Sequence, residues 1–143
     1  MKVIYEYPPV YDDIIRAGLK PGKDTVFAYG DAIYNPNNVP ITPDLEVHEA
    51  VHMRQQANDV ADWWIKYLTD LQFRLEQEIE AYQAQYLFIC KVVKDRNRQH
   101  KILSKIAEFL SGPLYGGIIT HSDAMEIIKQ NRPNVLYGST TKN

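Results

Sequence analysis

The stretch DLEVHEAVHMRQQ, residues 44–56, sets His48 and His52 four positions apart, with Glu49 directly after the first histidine. On a helix, residues four apart lie one above the other on the same face, so both imidazoles can aim at one point, while Glu49 is rotated by about 100° and falls beside it. Two histidines so aimed are half of a tetrahedral zinc site, and a neighbouring carboxylate that stays off the metal can take a proton from water held there. The plainer reading is an amphipathic helix that carries His and Glu by chance. Context favours the metal: Thr42 can serve as N-cap, Pro43 fits the first helical position and Asp44 suits the first turn. Leu45, Val47 and Val51 then give the helix a side to bury, so the histidines need not be solvated.

The flanking segments divide into strands at the front and helices behind. KVIYEY (2–7) is β-branched and aromatic and stops at Pro8-Pro9, which predicts a short strand and a turn. DDIIRAGLKPG predicts a brief helix ended by Gly18 and Pro21, and TVFAYGDAIYNP a small hairpin about Gly30-Asp31 or one bent strand ending near Tyr34. The motif helix is expected to run to about Asn58. VADWWIKYLTD follows as a second helix, and a long one spans about Leu71 to Asp95. RQHKILSKIAEFLSG shows an apolar face of Ile102, Leu103, Ile106, Phe109 and Leu110 before Gly112, and SDAMEIIKQN predicts a last helix capped by Ser122. Trp63 and Trp64 are adjacent, so both are not expected to face the core. Ser139–Asn143 reads as a frayed tail. No repeat or linker interrupts the chain, and a single domain over residues 1–143 is expected.

Composition narrows the function. With 45% hydrophobic and 24% charged residues the chain is globular, and its net charge of −2, with basic residues scattered among acidic ones, gives no footprint for nucleic acid or an anionic membrane. Cys90 is alone and can neither pair within the chain nor build a cysteine metal site; in the apolar run YLFICKVV it reads as a small core residue. The N-terminus lacks the apolar stretch of a signal peptide and no run of 18 apolar residues occurs, so a soluble, cytoplasmic protein is expected.

Two histidines leave a zinc site short of a ligand, and FRLEQEIEAYQAQY offers Glu76, Glu78 and Glu80. At 100° per residue Glu78 falls within about 60° of Leu71, Leu75, Tyr82 and Ile89, whereas Glu76 and Glu80 each point about 160° away from it. A carboxylate on that apolar stripe is costly to bury without a cation. A zinc ion supplies one; an ion pair with Arg54 or Arg98 is the structural alternative. The outward pair reads as a solvated face.

The combination of HEAVH with a later EIEAY resembles the gluzincin metallopeptidases, and the small size is similar to that of the minigluzincins. The wording HMRQQ, DWWIKYL and FRLEQEIEAYQAQY is also similar to small peptidases encoded by bacteriophages. The resemblance covers roughly residues 25–95. It implies an α+β, mostly helical zincin-like domain with a small antiparallel sheet, a Zn2+ cofactor, His48, His52 and Glu78 as ligands, and Glu49 as general base. Glu78-Ile79-Glu80-Ala81 matches the family pattern Glu-x-x-Ala. One position departs from it: four residues after the ligand glutamate many relatives carry an aspartate that orients a histidine, and here stands Tyr82, a weaker acceptor.

The reading implied is a zinc-dependent endopeptidase acting on a peptide or protein substrate. Its oxyanion needs a donor outside the metal shell, for which Tyr115, in GPLYGG, and His121 are candidates beside their plainer structural reading. His100, in a charge-rich run, is expected to be exposed. In the family an edge strand near the site pairs with extended peptide, which would assign that task to residues 26–34; a structural hairpin is the alternative. Two other classes stay open: a zinc-binding structural or interaction protein without turnover, and a metal-free helical interaction protein.

Overall fold

The computed structural model describes residues 1–130; the expected tail at Ser139–Asn143 lies outside them. The chain is mostly helical α+β and divides into two compact units, one ending at Asp70 and the other beginning at Leu71.

The first unit opens with strand β1 (Lys2–Ile4) and helix α1 (Tyr11–Arg16), which buries Ile14. Strands β2 (Phe27–Tyr29) and β3 (Ala32–Tyr34) form the hairpin, paired Phe27 to Tyr34 and Tyr29 to Ala32. Gly30 turns it at φ +63, a conformation that glycine adopts without the Cβ penalty. The sheet is not wholly antiparallel as expected. β1 lies parallel to β3, Lys2 opposite Ala32 and Ile4 opposite Tyr34, giving the order β1-β3-β2. The chain between Ile4 and Ala32, which carries α1 and β2, supplies the long crossover that a parallel pair needs and a tight turn cannot give.

Helix α2 (Pro43–Gln56) carries the histidine motif and begins as read, with Pro43 first and Asp44 and Glu46 in the first turn. Thr42 stands at the N-cap in extended conformation, but its side chain makes no capping hydrogen bond. At the other end Gln56, fully buried, donates from Nε2 to the Ala28 carbonyl at 2.8 Å and accepts at Oε1 from the Gly30 backbone N–H at 2.8 Å. That pair of bonds fixes the C-terminal end of α2 against the hairpin.

Helix α3 (Val60–Thr69) starts at Asp59, whose carboxylate accepts from the Asp62 N–H at 3.0 Å. Trp63 and Trp64 are both buried, contrary to expectation. Neighbouring positions differ by about 100°, and this helix buries an arc wide enough for both. Trp63 stacks on Tyr67 with centroids 4.9 Å apart, and Trp64 meets Tyr67 edge-on at 5.3 Å.

The second unit begins with helix α4 (Leu71–Val92) and continues with α5 (Arg96–Leu110), a single 3-10 turn at Pro113–Tyr115 and α6 (His121–Lys129). Its core joins Leu75, Ile79 and Tyr86 of α4 to Leu103, Ile106, Ala107 and Leu110 of α5 and to Ala124 and Ile128 of α6. Cys90 packs partly buried against this cluster. Phe109 departs from the expected apolar face and is 48% exposed, Ala107 filling the inward position instead. The last helix is capped by Thr120, not Ser122: Thr120 Oγ1 accepts from the Asp123 N–H at 3.1 Å, while Ser122 sits exposed within the first turn. Among the described residues no helix is long and apolar enough to cross a membrane.

Candidate metal centre

His48, Glu49 and His52 are 5–6% exposed, so α2 buries three ionisable side chains within two turns. The spacing acts as read: His48 Nε2 and His52 Nε2 lie 3.2 Å apart. Two nitrogens at Zn–N distances of about 2.0–2.1 Å on a tetrahedral ion are separated by roughly 3.3 Å, so the pair already has the spacing of two zinc ligands.

The ring of His52 is fixed on its other side. Its Nδ1 lies 2.8 Å from Gln55 Oε1. An amide oxygen can only accept, so Nδ1 carries the proton, and in a neutral ring Nε2 then presents its lone pair. That lone pair faces His48 Nε2, where either a proton or a metal ion must stand between two nitrogens that otherwise repel. Trp63 packs against His52 with the rings tilted by 58° and their centroids 5.5 Å apart.

On α4 the burial separates the three glutamates as helical geometry demands: Glu78 is 7% exposed, and Glu76 and Glu80 are only partly buried. One ligand atom from each of His48, His52 and Glu78 lies within 4.8 Å of the other two. Two imidazole nitrogens and one carboxylate oxygen, all buried, are a donor set suited to zinc. The residues therefore fit a metal ion on their chemistry and their spacing.

Tyr115 is 1% exposed in the core of the second unit, its ring 5.8 Å from that of Phe109. Tyr82 is partly buried against the same core, 6.3 Å from Phe109. His121 is exposed at the first position of α6. Its Nε2 lies 3.0 Å from the Ser104 carbonyl oxygen and so must donate to it, which clamps the start of α6 to α5 and leaves this nitrogen no lone pair for the Ser104 hydroxyl 3.3 Å away. His100 is exposed, as expected. β2 is an edge strand, and its Ala28 carbonyl is already bonded to Gln56. Burial, and secondarily a hydrogen bond with Cys90, push the Tyr86 phenol up to about 12, so it stays protonated at any physiological pH.

Sequence reasoning overlooked Gln55, Gln56 and the packing of Trp63 against His52. The signal available was position: Gln55 stands three residues after His52, on the neighbouring turn of the same helix face.

No protein-family model matches the chain, and neither a curated protein nor a solved structure matches it.

Proposed function

We propose that the chain is a zinc-dependent endopeptidase of the gluzincin type, with His48, His52 and Glu78 as the metal ligands and Glu49 as general base. The observation that carries the reading is the grouping of two buried imidazoles and one buried carboxylate within 4.8 Å, the imidazoles belonging to an HExxH helix. Zinc held there would supply Lewis acidity and bring the pKa of a water it binds down toward 7. The two histidines would donate neutral nitrogens, His52 in the tautomer set by Gln55. Glu49 follows His48 on the helix and is buried; about 100° of rotation would set it beside the ligands and not among them. Its carboxylate would take the proton from the attacking water and return it to the leaving amine.

Glu49→Gln tests this assignment, because it removes the base and keeps the shape. Zinc content is expected to stay at the parental level, while the rate of peptide cleavage falls by about 10²–10⁴-fold, the usual worth of a positioned proton acceptor. A variant cleaving at the parental rate removes Glu49 from the mechanism. A second reading, a zinc-binding interaction protein without turnover, is favoured by Tyr82, which packs its ring beside Phe109 where the resemblance calls for an aspartate. Zinc in the parent with no cleavage of any peptide pool would establish that reading.

A further inference from the structure

We infer that Gln55 is a positioning residue that holds His52 in the one tautomer able to bind a metal through Nε2, a role that rests on the metal-centre reading above. A neutral imidazole carries one proton and divides its population between two tautomers, only one of which leaves Nε2 free as a donor to the metal. In water the wrong tautomer is readily populated, and any population in it is lost to metal binding. Gln55 removes that choice. Its Oε1 is 2.8 Å from His52 Nδ1, an amide oxygen cannot donate, and so the bond exists only when the ring proton is on Nδ1.

The geometry of the helix makes this local device possible. His52 and Gln55 are three residues apart on α2, so their side chains meet across one turn without any other element. Trp63 packs against the ring of His52, which is 5% exposed, so few waters are at hand to compete for Nδ1. The device also bears on Tyr82. Where the resemblance would supply a histidine-orienting carboxylate four residues after Glu78, this chain orients a histidine from within the motif helix itself, three residues after it. A Gln–His hydrogen bond is neutral and therefore weaker than a carboxylate–His one, and it leaves the ring less electron-rich.

The test compares the full chain with Gln55→Leu, which removes the acceptor at similar volume, and with Gln55→Glu, which restores and strengthens it. Two readouts are needed. In metal-free protein above neutral pH, ring 15N shifts of His52 report where the proton sits, independent of any zinc. The parent and Gln55→Glu are expected to hold it on Nδ1, and Gln55→Leu to shift population to Nε2. In zinc titrations against a competing chelator, Gln55→Leu is expected to bind about 10–100-fold more weakly than the parent, the usual cost of losing a ligand's hydrogen-bond partner, and Gln55→Glu to bind at least as tightly as the parent. Unchanged 15N shifts and unchanged zinc affinity in Gln55→Leu overturn the inference while leaving the metal-centre reading intact. A parent that takes up no zinc overturns that reading, and the 15N shifts still decide whether Gln55 sets the tautomer.

Discussion

Helices α2 and α5 are almost the same length, 14 and 15 residues, and bury opposite kinds of side chain. α5 buries Leu103, Ile106, Ala107 and Leu110. α2 buries His48, Glu49, His52 and Gln56, with Val51 as its one apolar member. For α5 burial is its own reward, since each large apolar side chain removed from water contributes about 1.5–3 kcal/mol. For α2 burial is a cost that hydrogen bonds or a cation must offset, because an unpartnered polar group inside a protein is unfavourable by about 1–3 kcal/mol and a charge by more. Gln56 is repaid by its two bonds to the hairpin. The two histidines gain little for the fold from lying 3.2 Å apart, which is why they read as a site, whereas α5 reads as scaffold.

The same contrast appears between single histidines. His121 is exposed and ties down a helix start through a backbone carbonyl. His52 is buried, with one nitrogen held and the other aimed at His48. Residue type does not separate these two roles; burial and the direction of the lone pair do.

Substitutions can test whether the two helices differ as argued. On the site side, Glu78→Ala is expected to lower zinc affinity by more than the roughly 10–100-fold that follows loss of a mere supporting partner, and Glu80→Ala to leave it unchanged. Chelator competition measures both, and equal retention means that the carboxylate ligand is misassigned. On the scaffold side, Leu103→Ala is expected to cost about 2–5 kcal/mol in denaturant unfolding, since it opens a cavity in a core where Leu103 is 2% exposed. A loss under about 1 kcal/mol would mean that α5 does not carry the second unit's core in the way described. Smallest in stability is the double variant His48→Leu/His52→Leu, measured metal-free. The 3.2 Å pair goes as a whole, but Gln55 Oε1 loses the His52 N–H, so unfolding should move by about 0.5–1.5 kcal/mol in the destabilising direction, less than for Leu103→Ala. A large loss would show that the histidines are structural.

Much of this difference could be read in the sequence, and what could not has physical causes. The motif helix, its start at Pro43 and the inward setting of Glu78 over Glu76 and Glu80 follow from helical period and capping, which are local. The parallel pairing of β1 with β3 is non-local: nothing within Lys2–Ile4 states which distant strand it joins or in which direction. Trp63 and Trp64 both being buried depends on the width of the covered arc, which only packing sets. By type Ser122 is at least as good a cap as Thr120, and the choice falls to the backbone, which is extended at Thr120. Gln55 and Gln56 are ordinary polar residues in a string; their parts depend on rotamers that bring one oxygen to an imidazole and the next amide to a hairpin.

The claim on which the account stands is that three side chains, at positions 48, 52 and 78, share one cation. It is tested by loading the purified chain with zinc, dialysing away the excess and counting the metal that remains. The account predicts about one zinc per chain in the parent and in Glu80→Ala, and none in His48→Ala or His52→Ala, with the fold of each variant checked by circular dichroism. A parent that emerges free of zinc, or histidine variants that keep it, would contradict the account.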